Sequence, residues 1–186
     1  MRWISGSLCA LAGRKDWRRS ATRHDKLAEQ HRFIVAYPHQ SRGNNAQSCC
    51  NWFSRSDQQR DRGEPAILAG LTREAMALHH VPEGRVIVAG LSAAVAMAVI
   101  LEETCPDVFS VVGAHSGLPA GSAKDVPSAF SAMAGQGNSA PVRTFAGSAV
   151  RTIIFHGSAD ATVHPSNGEG IVRHALDRGL GQSLQD

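Results

Sequence analysis

Apolar residues in this chain gather in short unbroken runs, with longer mixed or polar stretches between them. The run Phe33-Ile-Val-Ala-Tyr37 is halted by Pro38 and reads as a buried strand. Residues 21–32 before it (ATRHDKLAEQHR) have helix-forming composition. Residues 40–63 are polar, and their length predicts a functional loop or a loop with short helical turns. A helix is predicted over 65–80, with Pro65 in its first turn. A short strand follows at 86–89, then a helix over 93–104 stopped before Pro106. Further on, 109–114 reads as a strand, 126–134 as a helix and 135–148 as a Gly/Ser/Ala-rich loop. The chain closes with a strand at 152–156 and a helix at 167–178, with Gly179 after it. Strands alternate with helices, and the strands are apolar almost throughout. That pattern predicts an α/β fold with a mostly parallel sheet and helices on both faces.

Composition narrows the picture. At 186 residues, 42% hydrophobic and 19% charged, the chain has enough apolar surface for a core. A net charge of +3, with no stripe of basic and aromatic residues, predicts no nucleic-acid partner. The densest basic cluster, Arg14, Lys15, Arg18, Arg19 and Arg23, reads as a solvated surface. Residues 86–101 are apolar but fall short of the roughly 20 that span a membrane, so no membrane segment is expected. Residues 1–13 match a signal peptide poorly, because polar residues break their apolar part. Cys49 and Cys50 are adjacent and badly placed to bond each other. One of them pairing with Cys9, or free thiols throughout, are both open. No C-x-x-C pair exists, and neither a metal nor an organic cofactor is expected.

One hydroxyl stands out. Ser92 is the only polar side chain in Val-Ile-Val-Ala-Gly-Leu-Ser-Ala-Ala-Val-Ala-Met-Ala-Val-Ile, residues 86–100. Glycine two places before it, a strand upstream and a helix downstream form the setting of a nucleophilic serine on a sharp strand-to-helix turn. The usual pattern is G-x-S-x-G, and here Ala94 stands at the last position. The plain alternative is a turn whose serine caps the helix. The second signal is His156-Gly-Ser-Ala-Asp-Ala-Thr-Val163. A carboxylate just beyond a strand is placed to orient a histidine, and the order serine then acid suits this fold. Its alternative is an aspartate that closes a turn.

Around these residues the chain resembles the polyhydroxybutyrate depolymerase-type esterases, relatives of feruloyl and acetylxylan esterases. The likeness runs through residues 26–38, then Gln40-Ser41-Arg42, Cys49, Asn51-Trp52-Phe53, Asp57-Gln58 and Arg62-Gly63-Glu64-Pro65. It continues through the segments at 88–93, 113–118, 125–130 and 155–165, so it covers roughly residues 20–172. The resemblance implies a partial α/β-hydrolase fold and ester hydrolysis through a serine acyl-enzyme. Ser92 is then the nucleophile, Asp160 the acid, and the Ala93 N–H an oxyanion donor. An ester substrate and an extracellular location follow from the family as well.

Two parts of the family pattern are not readable. Members place a strand ending in His-Gly before the first helix, and residues 1–20 resemble it poorly, although 4–11 are apolar. Without that strand, the strands at 33–37 and 86–89 must pair directly, pair with residues near Ile4, or leave backbone unpaired. Members also place the triad histidine well beyond the acid, after a further strand. Only His164 and His174 follow Asp160, so His164 is the candidate base. Of the other histidines, His115 and His156 lie at strand ends and read as loop-holding residues. The expectation is therefore a family member shortened at both ends, with residues 1–20 poorly matched and 21–186 a partial hydrolase domain. Rival readings are a non-catalytic hydrolase-like remnant or interaction module, and a feruloyl or acetylxylan esterase. Oligomeric state is not legible.

Overall fold

The computed structural model describes residues 8–11, 24–137 and 150–183, with side chains described over 24–137 and 150–178. Five strands form one sheet: β1 (Leu8–Leu11), β2 (Ile34–Ala36), β3 (Val86–Leu91), β4 (Val111–His115) and β5 (Arg151–Phe155). Their order is β2-β1-β3-β4-β5 and every neighbouring pair is parallel. The helices are α1 (His24–His31), α2 (Gly63–His79), α3 (Ala93–Thr104), α4 (Val126–Met133) and α5 (Ser166–Ser183). The polar stretch at 40–63 holds only a 3-10 turn, Arg55–Gln58, and other turns. Glu64 ties this stretch down: its carboxylate accepts the Asn51 N–H at 2.9 Å, the Asn51 side-chain amide at 2.8 Å and the Gln40 amide.

The place between β2 and β3 is filled. Leu8 pairs with Ile34 on one side and with Val86 on the other, and Cys9 and Ala10 continue both ladders. Of the three outcomes open to the flanking strands, pairing with the N-terminal apolar segment is the one realised. Four small or aliphatic residues without a β-branched side chain carry little strand signal, yet two ready-made edges satisfy their backbone.

The core lies on one face of the sheet. Val86 and Val88 of β3, with Val112 and Ala114 of β4, are buried under α3. Ten of the twelve α3 residues are buried, which explains why this helix is apolar all round rather than striped. On the opposite face β5 is open: Ile153 and Phe155 are 53% and 56% exposed.

α5 docks on α3 through charge. Arg178 donates to Glu102 and, at 2.9 Å, to Glu103. The Glu103 carboxylate also lies 3.7 Å from His174, itself 5% exposed. Glu102 is 2% exposed, and burial pushes its carboxyl up to about 7 in spite of Arg178. The unfolded value is near 4.5. Between these limits the unfolded chain releases a proton that the folded chain keeps. Stability is therefore expected to fall as pH rises from about 4.5 to about 7, and to level off above. Urea midpoints measured across that window check this, and Glu102→Gln should flatten the slope.

Candidate active site

Ser92 occupies the single residue between β3 and α3, at φ 59° and ψ −122°. That backbone is unfavourable for a residue with a Cβ, and it lifts the side chain out of both elements. It is held by a 3.1 Å bond from the Ser92 N–H to the His115 C=O and a 2.8 Å bond from the Val95 N–H to the Ser92 C=O. The N–H groups of Ala93 and Ala94 have no backbone acceptor among the described residues. They are the open donors of a helix N-terminus, where developing negative charge is stabilised.

The turn explains its glycines. A Cβ on Gly90 would sit 2.5 Å from the Ala94 carbonyl carbon and 2.6 Å from its oxygen. Only backbone movement relieves that contact. Because position 90 is glycine, a methyl at Ala94 fits, so the departure from G-x-S-x-G leaves the turn intact. Gly117 does the same two residues past the end of β4: a Cβ there would lie 2.2 Å from the Val95 side chain. Gly90→Ala is expected to destabilise the fold by about 1–3 kcal/mol through overpacking. A thermal melt beside the wild type measures it.

Asp160 lies in the loop beyond β5. Its Oδ1 accepts the N–H groups of Thr162 at 2.9 Å and Val163 at 3.0 Å. The Val163 and Thr162 bonds, and then the Ser116 hydroxyl, hold its carboxyl below the usual range, so it is ionised at neutral pH. Its Oδ2 faces His156 Nε2 at 3.7 Å. That ring nitrogen is bonded to the Val163 C=O at 2.8 Å, so His156 braces the acid loop. β3 and β5 flank β4, and parallel strands end on the same edge. The ends of β3 and β5 are thus two strand spacings apart, about 10 Å, with the end of β4 between them.

The remaining candidates lie elsewhere. His164 donates its N–H to the Met133 C=O at 2.8 Å, its Nδ1 lies 2.8 Å from the Ser166 hydroxyl, and its ring packs on Gly135 at the end of α4. His174 faces Glu103. His115, exposed at the end of β4, stacks on Phe155 with ring centroids 6.4 Å apart. Among the described residues, no histidine hydrogen-bonds the Ser92 hydroxyl. Trp52 is 5% exposed and packs edge-on against Phe53. Ser116 and Gly117 were not singled out one by one from the sequence, although His115-Ser-Gly117 follows an apolar strand as Ser92 does.

Residues 9–180 match the esterase PHB depolymerase family. The chain belongs to that family. It is 34% identical over 167 residues to poly(3-hydroxyalkanoate) depolymerase C of Paucimonas lemoignei, covering 82% of this chain and 40% of the relative. It is 28% identical over 160 residues to acetylxylan esterase A of Aspergillus oryzae, covering 77% of this chain and 51% of the relative. The chain thus spans about half or less of the length of these relatives. An acetyl xylan esterase from Aspergillus awamori superposes with a TM-score of 0.77 at 19% identity, over 91% of this chain and 70% of that one. This likeness identifies the α/β-hydrolase fold. No helix among the described residues is long and apolar enough to cross a membrane.

Proposed function

We propose that this chain carries the nucleophile and acid of a serine esterase that cleaves carboxylic esters. The observation that carries the reading is the Ser92 backbone, held in an unfavourable conformation between β3 and α3 on the edge where Asp160 also lies. In the reaction, Ser92 Oγ attacks the ester carbonyl carbon and its proton passes to an imidazole seated over the end of β4. Asp160 orients that imidazole, and the Ala93 N–H donates a hydrogen bond to the developing oxyanion. The alcohol leaves with the proton, and water then releases the acid from Ser92. The imidazole belongs to a histidine that the described residues do not bring to Ser92. In the family that the chain resembles, the triad histidine follows a further strand beyond the acid.

The higher identity to the polyhydroxyalkanoate depolymerase favours a polyester substrate over an acetylated polysaccharide. Both relatives' names point to polymers too large to enter a cell, which supports an extracellular location. The test supplies a base from solution as free imidazole and follows p-nitrophenyl butyrate hydrolysis. Wild type should exceed both Ser92→Ala and Asp160→Asn at each imidazole concentration. Equal rates in wild type and Ser92→Ala would leave the non-catalytic, hydrolase-like reading standing.

A further inference from the structure

A buried imidazole lies behind the acid and takes no part in the proposed reaction. His156 directly follows β5, and its side chain is 8% exposed. Its Nε2 lies 2.8 Å from the Val163 C=O. A carbonyl only accepts, so Nε2 carries the proton, and in the neutral ring Nδ1 is the bare nitrogen. Nδ1 is buried, with no hydrogen-bond partner among the described residues. It faces Gly168, in the first turn of α5: a Cβ there would lie 2.7 Å from Nδ1 and 3.1 Å from Cγ. Glycine at 168 leaves the seat that the ring fills. The Val163 peptide is bonded on both sides. Its C=O accepts from His156, and its N–H donates to Asp160 Oδ1 at 3.0 Å. Val163 is 1% exposed, so its carbonyl depends on His156 rather than on water for a partner. His156 Nε2 is 3.7 Å from Asp160 Oδ2, too far for a hydrogen bond, so the link runs through the peptide.

We propose that His156 is a positioning residue: seated on Gly168 as the Nε2–H tautomer, it sets the direction of the Asp160 carboxylate through the Val163 peptide. This rests on the reading of Asp160 as the acid. The Thr162 and Val163 N–H groups hold Oδ1, and His156 fixes the second of these donors from behind. His156 touches no substrate and is not the base. Its Nε2 proton is committed to Val163, and its Nδ1 is closed off by α5. The Val163 bond is also the foremost cause holding the Asp160 carboxyl below its usual range, so loosening it has a readout of its own.

Nitrogen-15 NMR of the wild-type chain at mildly alkaline pH tests the first half. It should show His156 as the Nε2–H tautomer, and the Nδ1–H tautomer would overturn the proposal whatever any variant does. A carbon-13 carboxyl NMR titration of the whole chain tests the second half. His156→Phe keeps a ring and loses the donor, so the Asp160 pKa should rise. His156→Gln, which places an amide donor at similar reach, should bring it back down. Gly168→Ala keeps every hydrogen-bonding group and suits a helix better, yet it should also raise the Asp160 pKa by displacing the ring. Asp125, bonded to Ser128 at the start of α4, is the internal control and should not move. Folded His156→Phe and Gly168→Ala that melt lower but leave the Asp160 titration unchanged would make His156 a brace only, and overturn the proposal. Failure of the triad reading is seen separately: Asp160→Asn would then hydrolyse esters with added imidazole as fast as wild type, whatever His156 does to the titration.

Discussion

Arg178→Ala is expected to destabilise the fold by about 3–5 kcal/mol, the usual penalty for removing one partner of a buried ion pair. Arg178 is the only arginine or lysine that bonds Glu102 and Glu103 among the described residues, and both glutamates are almost wholly buried. Without it their charges face each other and the protein interior. The loss should be larger above pH 7 than near pH 5, because below about 7 Glu102 is held neutral by burial. Adding Glu102→Gln to the variant should recover part of the loss at high pH and little at low pH. Urea denaturation at the two pH values measures all four combinations. The consequence reaches the site, because α5 begins at Ser166, just after the loop that carries Asp160.

The second large effect is on rate. Without added imidazole, the chain is expected to turn over p-nitrophenyl acetate and butyrate no faster than Ser92→Ala. A serine hydroxyl needs a neighbouring base, and loss of a triad histidine alone lowers kcat by about 10⁶-fold. Single variants separate the remaining outcomes. Turnover that disappears in His164→Ala would make His164 the base, against its contacts with Ser166 and Gly135. Turnover that survives His164→Ala and His174→Ala but fails in His115→Ala would put the base at the end of β4.

The parts legible in the sequence were those set by neighbours along the chain. Gly90-Leu-Ser92 between two apolar runs located the turn, because its sterics are local. The apolar run predicts a strand ending at Ala89, and the strand extends to Leu91, since pairing with β4 continues through His115. β1 was harder to see: four unremarkable apolar residues become a strand only between two partner edges. The Arg178–Glu102–Glu103 cluster left no local mark, because the arginine and the glutamates are more than 70 residues apart.

The central claim is that Ser92 Oγ is the nucleophile. It is tested most directly by mass spectrometry of the chain after reaction with p-nitrophenyl butyrate in imidazole buffer. The account predicts a butyryl group on the peptide that carries Ser92, absent from Ser92→Ala and reduced in Asp160→Asn. A chain that releases p-nitrophenol faster than Ser92→Ala yet never carries that group on Ser92 would contradict it.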